Sequence, residues 1–111
     1  MGYSRAVVKG GWCFVSGVTG YDYATMTMPA SITDQARNCF VTIETVLQEA
    51  GFVLADTVRV QYTLIDVALV EEITPVLGAS FGLIRPAATM VIAGLIRPEM
   101  KVEIEITAFK G

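Results

Sequence analysis

Histidine is absent from the 111-residue sequence. Its absence removes Ser-His and Cys-His catalysis and most zinc chemistry, which depends on imidazole ligands. Proton transfer is left to carboxylates, Tyr, Lys, Cys, backbone groups or water. Cysteine is scarce: Cys13 and Cys39 stand far apart and form no C-x-x-C pair. They read as free, packed thiols of a cytosolic protein. Positive charge is also sparse, with 8 Lys and Arg against 11 Asp and Glu and a net charge of -3. The isoelectric point near 4.8 disfavours nucleic acid and anionic membranes as partners. Long apolar runs are missing. Uncharged stretches such as residues 10–21 and 73–84 reach only about a dozen residues, where a membrane-spanning helix needs about 20. Nothing resembles a secretory leader, since Met1-Gly2-Tyr3 passes directly into alternating strand sequence. A cytoplasmic location is expected.

The residues that are present are strongly apolar: 53% are hydrophobic and the mean hydropathy is +0.56. Disorder is excluded by that content together with only 17% charged residues. One domain over residues 1–111 fits the length. A domain this small buries only about two-thirds of its unfolded surface. The surplus of apolar side chains therefore predicts self-association.

Residues 4–9, Gly10-Gly11 and residues 12–18 read as a β-hairpin whose glycine pair supplies positive φ. Residues 19–30 form a long loop carrying Tyr21, Tyr23 and two Met. Residues 31–50 form the clearest helix. Ser31 or Thr33 caps it, Asp34 favours its dipole, and Gly51 stops it. Ala36, Cys39, Phe40, Ile43, Val46, Leu47 and Ala50 share its apolar face. Residues 57–65 predict a strand with Val58, Val60, Tyr62 and Leu64 on one face. Asp66 opens a second helical region, in which Thr74-Pro75 is expected to be an N-cap and first helical residue, with the helix ending near Phe81-Gly82. Residues 87–94 and 102–109 complete the strands. In the last one Val102, Ile104, Ile106 and Ala108 alternate with Glu103, Glu105 and Thr107. The order β-β-α-β-α-β-β predicts an α+β fold with two helices on one face of a mixed sheet.

Four motifs stand on this frame: Ser16-Gly17, Gln35-Ala36-Arg37, Arg85-Pro86-Ala87-Ala88-Thr89-Met90 and Val102-Glu103-Ile104-Glu105-Ile106. Each alone is weak. In this order and spacing, from Gly2-Tyr3 to Phe109, they resemble the RidA/YjgF family, also labelled the L-PSP endoribonuclease family. The resemblance implies a chorismate-mutase-like subunit, a homotrimer with inward-facing sheets, and ligand clefts between subunits. It also implies hydrolysis of enamines and imines to a ketoacid and ammonia, with no cofactor and no metal. In the family pattern P-A-R-[ST] the arginine clamps the substrate carboxylate with two hydrogen bonds. A glutamate at the first acidic position of V-E-I-E positions the water. Here the arginine position is Ala88 and the glutamate is Glu103. Tyr3, Ser16 and Gly17 match positions that line the pocket, and Thr89 and Met90 follow the vacant arginine position. A methyl group cannot bind an anion, so the loss is worth on the order of a few kcal/mol of binding to a carboxylate.

Each candidate also has a plainer reading. Glu103 fits an exposed, ion-paired strand position as well as a catalytic one. Glu105 fits a solvated one. Arg85 is a candidate replacement clamp, or a solvated or inter-subunit ion-pairing residue, and Arg59 is similarly ambiguous. Tyr21 and Tyr23 fit either subunit packing or an aromatic cleft wall. Neither Gly10-Gly11 nor Thr19-Gly20 is a phosphate loop. No His, Cys or Asp cluster has metal spacing.

Three functions are then in contention. The first is a trimeric hydrolase or deaminase for a small imine or enamine other than the 2-aminoacrylate type, with Glu103 catalytic. Ala88, Met90 and Ile92 would leave room for a bulkier or less charged ligand. The second is a non-catalytic trimer that binds or senses a small molecule. The third is a ribonuclease, disfavoured by the acidic charge and the absence of histidine.

Overall fold

A computed structural model describes residues 2–111. The strands are β1 (Ala6–Lys9), β2 (Trp12–Thr19), β3 (Thr57–Leu64), β4 (Ala87–Ile92) and β5 (Val102–Phe109); the helices are α1 (Ile32–Glu49) and α2 (Val70–Phe81). The expected order of elements holds. The five strands form one sheet in the order β1-β2-β5-β3-β4. Only β3 and β4 run parallel, and α2 supplies the crossover that a parallel pair requires.

Local chemistry accounts for the ends of α1. The Ser31 hydroxyl accepts the Asp34 N–H at 3.1 Å, an N-cap that satisfies one of the helix's orphan donors. At the other end Gly51 adopts φ +85°. Phe52 N–H donates to the Leu47 carbonyl at 2.8 Å and Gly51 N–H to the Gln48 carbonyl at 3.1 Å. These are the two bonds of a Schellman stop. Ile32, Ala36, Cys39, Phe40, Ile43 and Leu47 are buried against the sheet. There they meet Val60, Tyr62 and Leu64 of β3 and the inward residues of β5.

Three expectations need correction. Thr74-Pro75 does not begin a helix. A short 3-10 turn, Val67–Leu69, is capped by Asp66 and leads into α2 at Val70, leaving Pro75 inside the helix. Pro75 lies on the exposed side. The carbonyl its ring cannot pair therefore remains open to water. The inward residues Ile73, Val76 and Phe81 hold the helix in place by packing. Second, Val58 is not on the inner face of β3. The β3–β5 register shifts between Thr57 and Arg59, so an extra residue enters the strand and Val58 is turned outward, 41% exposed. Third, the hairpin takes positive φ only at Gly10. Gly11 is needed for a different reason: an added Cβ would sit 2.6 Å from the Lys110 carbonyl oxygen. Smaller differences concern ends. β1 starts at Ala6, β3 stops at Leu64 and β4 stops at Ile92.

One face of the sheet is covered by the helices. The other is bare and carries Trp12, Phe14 and Phe109, all substantially exposed. The Trp12 ring lies 6.2 Å from Phe14 and 4.6 Å from Phe109. β4, at the sheet margin, is exposed along its whole length. No helix among the described residues is long and apolar enough to cross a membrane. No cluster of His, Cys, Asp or Glu among them could hold a metal ion.

Candidate functional site

The site begins with an irregularity in β2. Val15 pairs with Ile106 and Val18 with Ile104. Ser16 and Gly17 together therefore oppose Glu105 alone, a β-bulge. The bulge bends β2 and places Gly17 against the side chain of Glu103. A Cβ at Gly17 would lie 2.6 Å from Glu103 Cδ and 2.9 Å from its Oε1. The glutamate therefore occupies space that only a glycine leaves open. The Ser16 hydroxyl donates to the Ser4 carbonyl at 2.5 Å. The Arg5 guanidinium donates to the carbonyls of Gly17 at 2.9 Å and Ser16 at 3.3 Å. The bulge is thus tied to the segment that carries Tyr3.

Two loops close the end of the sheet above Glu103, and one buried side chain fastens both. Gln35 is fully buried. Its amide donates to the Pro29 carbonyl at 2.8 Å and the Glu99 carbonyl at 3.1 Å, and its oxygen accepts the Lys101 N–H at 2.9 Å. Tyr21 adds a second tie, donating to Glu99 Oε2 at 2.7 Å. That bond raises the Tyr21 hydroxyl above its ordinary pKa and lowers the Glu99 carboxyl below its own.

The result is a cavity of about 420 Å3 beside Glu103. Of the residues expected at the site, Tyr3, Ser16, Gly17, Tyr21 and Glu103 all line it. Tyr23 lines it too. Both tyrosines, with Arg5, also border a groove of about 600 Å3 over α1. Burial first, and the Glu105 carboxylate second, push the Glu103 carboxyl above its ordinary pKa, while Arg5 pulls it down. A carboxyl raised in this way is better matched to carrying a proton near neutrality.

The remaining candidates lie elsewhere in the chain. Ala88 and Arg85 line a separate groove of about 590 Å3 between α2 and β4, with Tyr62 and Pro86. Burial pushes the Tyr62 hydroxyl up to about 12, so it stays protonated there. Arg85 holds a left-handed backbone, φ +54°, a conformation that costs a non-glycine residue on the order of 1 kcal/mol or more. Met90 follows Ala88 on the same side of β4, in register with Tyr62. Thr89 points to the bare face, where its hydroxyl accepts from Arg59 at 3.0 Å. Glu103 is two strands away from β4, about 10 Å by ordinary strand spacing. Within one chain, then, Glu103 and Ala88 do not meet.

The structure also adds residues that sequence reasoning missed. Arg5, Thr19, Met26, Ile96, Arg97 and Met100 line the Glu103 cavity. Arg97 sits in the connection just before the Glu103 strand, but nothing local marks it as facing inward. The cysteines are not part of the site. Cys39 donates to the Val18 carbonyl at 3.3 Å. Burial, with a contribution from Glu103, raises its thiol to about 12. Burial raises Cys13 as well.

Comparison with known proteins agrees with this architecture. The family model described as Endoribonuclease L-PSP matches residues 1–110. A RutC family protein of Pyrococcus horikoshii is 29% identical over 109 residues, covering 97% of this chain and 86% of the relative. Among solved structures, a YjgF/YER057c/UK114 family member from Mycobacterium tuberculosis is 38% identical with a TM-score of 0.89, covering 98% of this chain and 87% of that one. RidA from an Antarctic Psychrobacter is 28% identical with a TM-score of 0.92, covering 99% of this chain and 89% of that one.

Proposed function

The chain belongs to the Endoribonuclease L-PSP (RidA/YjgF) family, and from that premise we propose that it hydrolyses a small imine or enamine other than the 2-aminoacrylate type. Family membership supports a small-molecule deaminase or hydrolase role. The observation that carries the finer reading is the Glu103 carboxyl, seated on the Gly17 bulge in a cavity that can admit a small molecule.

In this reading Glu103 orients a water against the imine carbon. An enamine first takes a proton at carbon to give the protonated imine. The C–O bond forms as Glu103 takes a proton from the water and the C=N π electrons move to nitrogen, giving a neutral carbinolamine. Glu103 returns that proton to the nitrogen, the C–N bond breaks as the oxygen forms C=O, and the hydroxyl proton passes back to Glu103 and then to the departing ammonia, leaving a carbonyl compound and ammonium. Tyr3, Ser16 and Gly17 border the reacting group. In a homotrimer, Ala88, Thr89 and Met90 would reach the cleft from the neighbouring subunit. The Trp12–Phe14–Phe109 cluster is an apolar surface suited to burial between sheets. Ala88 brings no guanidinium, which is the reason for setting aside substrates held by a carboxylate at that point. The test compares wild type and Glu103→Gln on imines generated in situ, following ammonia against the spontaneous rate. Turnover by wild type and its loss in the variant are expected; no rate above background across the panel overturns the reading.

The same vacancy at Ala88 favours a second reading, a trimer that binds a metabolite without turning it over. A ligand-induced rise in melting temperature with no product formed would decide for it. The ribonuclease reading gains no support, since the cavity holds only Arg5 and Arg97 as cations and the chain is acidic.

A further inference from the structure

The Glu103 cavity contains two guanidinium groups, and they are not equivalent. Arg5 is committed to the bulge, donating to the carbonyls of Ser16 and Gly17. Arg97 also lines the cavity, yet among the described residues its side chain has no ion pair and no hydrogen bond to protein. Glu99, two residues on, is close enough for the Arg97 charge to help lower its pKa, but it makes no ion pair with Arg97, and its Oε2 accepts the Tyr21 hydroxyl at 2.7 Å. The backbone around Arg97 is held firmly. Met100 N–H donates to the Arg97 carbonyl at 3.2 Å, Met100 is buried, and Gln35 grips both Glu99 and Lys101. An unpaired guanidinium on an anchored loop, facing a cavity, is suited to fork onto an anion with two hydrogen bonds.

We propose that Arg97 is the anion-binding residue of this site. The ligand is a carboxylate-bearing imine or enamine with an aromatic or large apolar body. Its acidic group sits on Arg97, at the loop end of the cavity, and not at the Ala88 position. Tyr3, Tyr21, Tyr23, Met26 and Ile96 form a wall that suits such a body. The inference rests on the Glu103 cavity being the ligand site, as proposed above.

Binding of benzoate, with benzamide as its uncharged isostere, tests this without requiring turnover. Titrations followed by ligand-observed NMR would compare wild type, Arg97→Ala, Arg97→Lys and Arg85→Ala. Wild type is expected to prefer benzoate over benzamide. Arg97→Ala should lose about tenfold or more in benzoate affinity, while benzamide binding stays the same. Arg97→Lys should recover part of the loss. Arg97 is exposed, so an unchanged melting temperature is the expected control for folding. The proposal is overturned if wild type shows no preference for benzoate, if Arg97→Ala binds it as wild type does, or if the loss falls on Arg85→Ala. Glu103→Gln separates the two claims. If it abolishes turnover but keeps the benzoate preference, both stand. If it leaves turnover intact, the hydrolytic role of Glu103 falls while the Arg97 result is still read from binding.

Discussion

The Glu103 cavity and the Ala88 groove lie on the same sheet but are built differently. The first is enclosed by two loops that cross from distant parts of the chain, held by the buried amide of Gln35 and by the Tyr21–Glu99 bond. Its floor is a bulge whose glycine makes room for one carboxyl group. The second lies between α2 and a margin strand that is exposed along its length. It has no comparable set of ties. A site that must hold a water against a carboxyl needs fixed distances. A surface that presents one residue to a neighbouring molecule does not need them until it is covered.

This contrast can be broken by substitution, and the largest expected effect is at Gln35. Gln35→Ala leaves two carbonyls and one N–H without their partner, and should cost about 3 kcal/mol in a urea unfolding curve. A loss under about 1 kcal/mol would show that water replaces the amide and that the loops do not depend on it. Gly17→Ala should act on function more than on stability. Its Cβ collides with the flexible end of Glu103, so the carboxyl swings away and kcat/KM should fall about a hundredfold, as a misplacement near 1 Å can cause. Retained activity would mean that Glu103 is not held where its chemistry requires.

Smaller effects sharpen the contrast through pH. The Glu103 carboxyl is raised in the folded state, mainly by burial. Folding therefore favours its protonated form: its contribution is fully present below the unfolded carboxylate pKa and is lost as pH rises through the folded one. Glu103→Gln is accordingly expected to raise the melting temperature at pH 7, with the difference vanishing below pH 4 in thermal scans. The acid limb of the wild-type pH–rate profile should lie above the ordinary carboxylate range for the same reason. The smallest effect is expected in the groove. Ala88→Arg should change unfolding free energy by no more than about 0.5 kcal/mol, because β4 is exposed. It should nevertheless raise activity on 2-aminoacrylate-type imines if the groove meets a neighbouring cavity. A well-folded variant with no gain would keep the two regions functionally separate.

Much of the fold was legible because its signals are local. The alternation in β5 and the apolar face of α1 follow from side-chain period alone. The Ser31 cap and the Gly51 stop follow from backbone chemistry within a few residues. Pro75 misled for an instructive reason. Local propensity places proline at a helix start, but packing of Ile73, Val76 and Phe81 was enough to extend the helix through it. Val58 misled because an extra residue at the start of β3 breaks the alternation there, leaving Thr57 inward and Val58 outward while Val60, Tyr62 and Leu64 keep the expected side, and no local feature marks it. Of the residues that line the cavity, the family pattern named Tyr3, Ser16, Gly17 and Glu103 but not Arg97, which belongs to no part of that pattern.

By itself the sequence determined the order of the elements and the family, because both are written in residue type and spacing. Only the tertiary structure decided that Gly17 lies against Glu103, that Gln35 joins two loops, that Arg97 faces the cavity, and that Ala88 lies apart from it. Those facts depend on strand register and loop closure. Both are set by pairing between residues far apart in the chain, where local preference carries no information.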